Sequence, residues 1–185
     1  MANNIGDWIM TYTGKKMYPL SPCMDDIDIV DIAHALSLKC RFTGHCSEFY
    51  SVAQHSCRVA MQCPDEHKLA GLLHDAAEAY LPDVSRPIKP YLYGFEAIEE
   101  NLLQVIFAKF GLPYPFDGII KDIDTRMCLT EGIELMPDTT DWGIDLEPFS
   151  TFESPLMFPR KPKSAERQFL YFFQLFGDLQ EAASG

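Results

Sequence analysis

The chain has 185 residues, 47% hydrophobic and 23% charged, with a formal net charge of -12. This is ordinary globular composition, sized for one domain with a proper core. The acidic balance, with Lys and Arg scattered, excludes a nucleic-acid polymer as the natural partner. No apolar run is long enough to span a bilayer, so no membrane partner is expected either.

Residues 1–24 carry Trp8, Tyr12, Gly14, Tyr18 and two prolines without periodicity. They predict an irregular arm whose aromatics pack on the body or on a neighbouring subunit. Asp25 and Asp26 precede Ile29, Ile32, Ala33 and Leu36, a helical stripe with acidic residues in its first turn. His34 lies within that helix with no second donor at a helical spacing and reads as structural. Residues 41–50 (RFTGHCSEFY) read as a loop punctuated by Gly44. Ser51 and Gln54 form an S-x-x-Q capping-box pattern opening a helix that carries His55 and closes before Pro64. A further helix repeats Leu69, Leu72, Leu73, Ala76 and Tyr80, and Leu81-Pro82 stops it.

Pro87 and Pro90 make residues 83–93 extended or turning. A strong helix over 95–110 places Ile98, Leu102, Val105, Ile106 and Phe110 on one side, with Gly111 as terminator. Asp117 opens another helix. Residues 136–163 show little pattern. A final helix from about Ser164 carries Phe169, Phe172, Phe173 and Phe176, a spacing that suits core or subunit contact. With no strand alternation, the prediction is an all-α single domain over residues 1–185, with about seven helices and a homo-oligomer as its expected state. The six cysteines (Cys23, Cys40, Cys46, Cys57, Cys63, Cys128) lack C-x-x-C spacing, and no basic start with an apolar core marks an export signal. Reduced thiols and a cytoplasmic location are expected.

The chemistry concentrates between His55 and Asp83. His74-Asp75 sits among Ala70-Gly71-Leu72-Leu73 and Ala76-Ala77, where buried polar groups are costly unless paired or bound to a metal. On a continuous helix, Glu78 falls on roughly the same side as His74 and Asp75. Mixed imidazole and carboxylate donors suit a divalent metal ion. His55, His74 and Asp75 supply three donors. Asp124, flanked by Ile120, Ile123 and Met127, is the best fourth, while Asp122 points to another face.

The order His55, His74-Asp75, Asp124 resembles the HD-domain metal-dependent phosphohydrolases. The stretch HDAAEAYLPDVSRPIK is similar to one in the 5'-deoxynucleotidases of that superfamily, and the chain's size resembles the small phage-type dATP triphosphohydrolases. The motif core covers about residues 41–131. The resemblance implies that Glu78 and Asp83 are the catalytic carboxylates and that Lys89 lies by the phosphate. Lys121, read as Lys121-x-x-Asp124, matches a K-x-x-D pattern ending in the last metal ligand. Arg41-Phe42 falls where the family has Arg and Trp against the deoxynucleoside, with Phe in place of Trp. Arg86 joins the substrate-binding set by proximity.

The implied cofactor is a divalent ion (Co, Mn, Zn or Mg) and the implied substrate a small-molecule 2'-deoxynucleotide. The implied location is host cytoplasm if the chain is phage-encoded. Glu78 would orient water or take its proton, and Asp83 would serve as acid for the leaving oxygen or hold the nucleophile. Triphosphate hydrolysis giving deoxynucleoside and tripolyphosphate is the leading expectation. A 5'-deoxynucleotidase acting on monophosphates and an inactive metal- and nucleotide-binding module are the alternatives.

Overall fold

The computed structural model describes residues 6–150 and 158–184. Residues 1–5 of the predicted arm, and 151–157 of the patternless segment, lie outside the described residues. Six α-helices are described: α1 (Ile29–Leu38), α2 (Val52–Gln62), α3 (Lys68–Leu73), α4 (Phe95–Lys109), α5 (Gly118–Leu135) and α6 (Pro162–Ser184). The fold is all-α, and among the described residues no helix is long and apolar enough to cross a membrane.

Helix α2 is the axis of the molecule, packing against α1, α3, α5 and α6. Residues 51–60 are all buried, polar ones included. Burial on every face demands that each polar group find a partner. Ser51 caps the helix by accepting from the Gln54 N–H at 3.2 Å. The predicted box is only half made. The Gln54 amide instead donates to the Phe158 carbonyl at 3.1 Å and accepts from the Arg160 N–H at 2.8 Å, fixing the chain that enters α6. Ser56 donates back to the Val52 carbonyl, and Arg58 grips Glu134 on α5 through two contacts of 2.8 and 3.1 Å.

Four sequence expectations need correction. The arm is not wholly irregular: β1 (Ile9–Met10) and β2 (Lys16–Met17) pair antiparallel. Met17 is fully buried, Tyr12 stacks on His34 at 3.7 Å, and Thr13 donates twice to the buried Asp31. Second, Asp25 and Asp26 belong to a separate 3-10 turn. The cap of α1 is Asp28, whose carboxylate accepts from the Val30 N–H at 3.0 Å. Third, the helix expected to run to Tyr80 stops after Leu73 and resumes as a 3-10 turn over Ala76–Ala79. Apolar periodicity crosses the break because Ala76, Ala77 and Tyr80 are buried from the turn as well. Fourth, α6 starts at Pro162, a residue suited to a first helical turn, rather than near Ser164.

The core joins Ile32, Leu36, Val52, Leu72, Leu73, Leu102, Ile106, Phe107 and Phe169, all fully buried. Gly111, at φ +68, follows α4 in the left-handed conformation that glycine favours. Phe169 tests how far α6 belongs to this core. Phe169→Ala should cost about 3–5 kcal/mol of unfolding free energy, as for other buried phenylalanines. Denaturant melts would check this; a loss under about 1 kcal/mol would make α6 peripheral.

Candidate metal centre and its cavity

His55 projects from the buried first turn of α2, and its Nδ1 lies 3.0 Å from Glu131 on α5. The Nδ1 of His74 contacts the Gly71 carbonyl at 2.8 Å. With these nitrogens occupied, the opposite ones face a common point. His55 Nε2 is 2.9 Å from Asp124 Oδ1 and 3.6 Å from Asp75 Oδ2, while His74 Nε2 is 3.2 Å from Asp75 Oδ2 and 3.7 Å from Asp124 Oδ1. Neither Nε2 makes a well-directed hydrogen bond, although both are buried. Donor atoms of His55, His74 and Asp124 lie within 4.8 Å of one another, a group able to hold a metal ion. Orphaned imidazole nitrogens beside carboxylates fit a divalent cation in their chemistry.

The break in the chain makes this arrangement. Asp75 (φ -100, ψ 14) has left the α-helix. In a continuous helix, neighbouring side chains diverge by about 100°. Here His74 and Asp75 converge.

Electrostatics follow the burial. Burial pulls the His74 imidazole down, but Asp75 and Asp124 hold its pKa well above the ordinary value. Burial and Arg41 lower His55, and Glu131 with Asp124 reverses that. Burial would raise Asp124, yet the two imidazoles keep it well below the carboxylate range, and Asp75 is lowered by His74 despite burial. Glu78 goes the other way. Burial first, then the like charges of Asp75 and Asp83, push it well above its ordinary value, and its buried Oε2 has no hydrogen-bond partner. Burial also raises Asp83.

The carboxylates of this cluster border a cavity of about 680 Å³, a size typical of small-molecule sites. Arg41, Phe42, Asp83, Arg86 and Lys89 all line it with Asp75, Glu78 and Asp124. Arg41 is tied inward, its Nε 3.2 Å from Glu131 and its Nη1 3.7 Å from Asp75. Lys89 rests against Glu99 at 2.5 Å. Phe42 and Thr43 have φ of 55° and 54°, a strained state for side chains of this kind. Such strain, of order 1–3 kcal/mol per residue, persists where surrounding structure imposes it, and here it borders the cavity.

Lys121 is the exception. It is exposed on α5 and does not line the cavity. His45 borders the cavity from an exposed position, and His34 is remote, its Nδ1 3.4 Å from Glu166.

Sequence reasoning missed three contributors. Glu131 is the acceptor that orients His55; its place seven residues after Asp124, about two turns along the same face, was the available signal. Lys39 donates to the Glu78 and Leu81 carbonyls and so ties down the turn that carries Glu78. Trp142 lines the cavity from residues with no readable pattern.

The chain is similar to the uncharacterized protein YfdR of Escherichia coli (strain K12), 37% identical over 177 residues, covering 95% of this chain and 99% of YfdR. It is also similar to the uncharacterized protein RCAP_rcc00048 of Rhodobacter capsulatus, 35% identical over 132 residues, or 64% of this chain and 67% of that protein. No family model matches it.

Imidazoles must be neutral to donate to a cation, so protons compete with it. Because the His74 pKa is raised, divalent-cation affinity should keep climbing with pH above about 6.5, where a free imidazole has already lost its proton. Glu131→Gln, which removes the charge behind His55, should lower affinity about 10- to 100-fold. Calorimetric titration of both proteins across that pH range checks the two together. A flat pH profile with an unaltered variant would dissociate this cluster from metal binding.

Proposed function

We propose that this chain, which belongs to the same family as YfdR, is an HD-domain-type metal-dependent phosphohydrolase of 2'-deoxynucleotides, releasing deoxynucleoside and tripolyphosphate from a triphosphate of the dATP type. One observation carries the reading: two buried, unpartnered imidazole nitrogens converge on Asp75 and Asp124, and both carboxylates line a cavity with Glu78. The resemblance of residues 74–89 to the HD-domain phosphohydrolases supports it and supplies the substrate class.

His55, His74, Asp75 and Asp124 would hold the divalent ion, whether Co, Mn, Zn or Mg. Bound there, such an ion supplies Lewis-acid polarisation of a phosphoryl oxygen and acidifies water. Glu78 orients the attacking water and takes its proton, a role suited to a carboxyl whose pKa is raised by burial and by Asp75 and Asp83. Asp83, also raised, is a second cavity carboxyl able to hold a proton for the leaving oxygen. Arg86 and Lys89 offset phosphate charge, with Arg41 behind them. Lys89 must exchange Glu99 for the substrate to do so.

Product analysis tests the reaction. dATP and dAMP are incubated with the protein and Mn or Co. Tripolyphosphate from dATP is the expected product; free phosphate from dAMP would favour the monophosphate reaction, and no product from either would end the phosphohydrolase reading. Glu78→Ala should bind cation normally yet lose about two to four orders of magnitude in turnover. Near-normal turnover would return Glu78 to a structural role.

Sugar selection follows from Phe42. A close apolar wall at C2' would clash with an added hydroxyl and leave it without a partner. The parent should therefore prefer dATP to ATP in kcat/KM, and Phe42→Ala should narrow that preference. Equal use of both by the parent contradicts the deoxynucleotide assignment.

A further inference from the structure

Beyond the metal cluster, the cavity has a second character. Phe42, Met136, Trp142 and Ile144 line it, and none of them can hold a phosphate. The Phe42 and Trp142 rings stand 5.7 Å apart at a tilt of 43°. They arrive from separate segments, Phe42 from the strained turn after α1 and Trp142 from the loop after α5. That loop is held in shape, since the Trp142 N–H donates to the Thr139 carbonyl at 3.2 Å and Gly143 turns the chain at φ +65. The far edge of the indole lies on Gly132 of α5. A Cβ there would sit 2.6 Å from Cζ3 and 2.7 Å from Cη2, so only glycine lets the ring rest where it does. Trp142 is nonetheless only partly buried. A large aromatic seated this closely on a helix, yet left open to a cavity, presents a π surface to whatever enters.

We propose that Trp142, with Phe42 beside it, is the platform on which the nucleobase of the substrate stacks, and that Gly132 sets its position. This deepens, and rests on, the reading of the cavity as a deoxynucleotide site. Arg41, Arg86, Lys89 and Glu78 line the same cavity, the Arg41 guanidinium 5.5 Å from the Phe42 ring, and the aromatic wall offers what a base recognises. Every base has a π face, so the platform accepts all four, with purines favoured for their larger stacking area.

The chain has two tryptophans. Trp8 lies in the arm beside Lys16, so Trp8→Phe leaves Trp142 as the sole indole reporter. In that protein, fluorescence is titrated with 2'-deoxyadenosine, which has no phosphate to lose, and separately with 2-deoxyribose 5-phosphate. Deoxyadenosine should change the Trp142 emission saturably, and the sugar phosphate should not. Gly132→Ala in the same background should weaken deoxyadenosine binding about tenfold or more, the scale of one lost base–aromatic stack. Alanine is the better helix former, so α5 is retained. Should that variant fail to fold, Trp142→Leu replaces it, read as the rise in KM for dATP. An equal response to both ligands, or no response with an unchanged KM in Trp142→Leu, overturns the platform. Saturable deoxyadenosine binding without hydrolysis of any nucleotide keeps the platform and removes the phosphohydrolase reading instead.

Discussion

Glu131 is fully buried, and its two carboxylate oxygens are shared among His55, Tyr50, Arg41 and Arg58. A carboxylate taken from water loses several kcal/mol of solvation, repaid only when partners surround it. Burial would raise its pKa, but His55 and Arg41 hold it below the ordinary value, so the charge is kept. Much of the site follows from that requirement. Glu131 takes the Nδ1 side of His55 and thereby aims Nε2 at Asp124 and Asp75. It holds the guanidinium of Arg41, the residue before Phe42, and both residues line the cavity. It also sits beside the Arg58–Glu134 pair that clamps α2 to α5. One buried charge thus ties the candidate metal cluster to the turn that carries Arg41 and Phe42.

The break after Leu73 is the second constraint. Ending α3 there leaves carbonyls in need of donors, as at any helix end. The Gly71 carbonyl meets the His74 Nδ1 at 2.8 Å, and the turn that follows is held by its own 3-10 bonds and by Lys39, which reaches the Glu78 and Leu81 carbonyls. Burial lowers the Lys39 pKa, while Glu78 and Asp83 oppose that loss. A lysine that holds backbone and faces two carboxylates keeps the turn in place and tempers the repulsion between them.

An acidic chain can still receive an anion because charge acts locally. The net charge of -12 is spread over the whole sequence, whereas Arg41, Arg86 and Lys89 converge on one cavity. Coulomb attraction within a few ångströms, in partly desolvated surroundings, outweighs distant surface charge that salt screens. Arg41 and Lys89 are already paired with Glu131 and Glu99, so any anion entering the cavity would compete with carboxylates for them.

The sequence by itself determined the all-α class, the Ser51 cap of α2, the Asp117 cap of α5, the glycine stop after α4, and the candidate donors His55, His74, Asp75 and Asp124. Each of these signals acts within a turn or two of chain, where capping, φ preference and apolar spacing are local. The tertiary structure decided the rest. It broke the helix at His74-Asp75, because the buried positions of Ala76, Ala77 and Tyr80 are compatible with either a helix or a turn. It turned Lys121 outward and brought Lys39 and Trp142 in. It made Glu131 the partner of His55, 76 residues away in sequence. Contacts across such a distance exist only once the helices have packed, and no local pattern encodes which buried carboxylate will meet which imidazole.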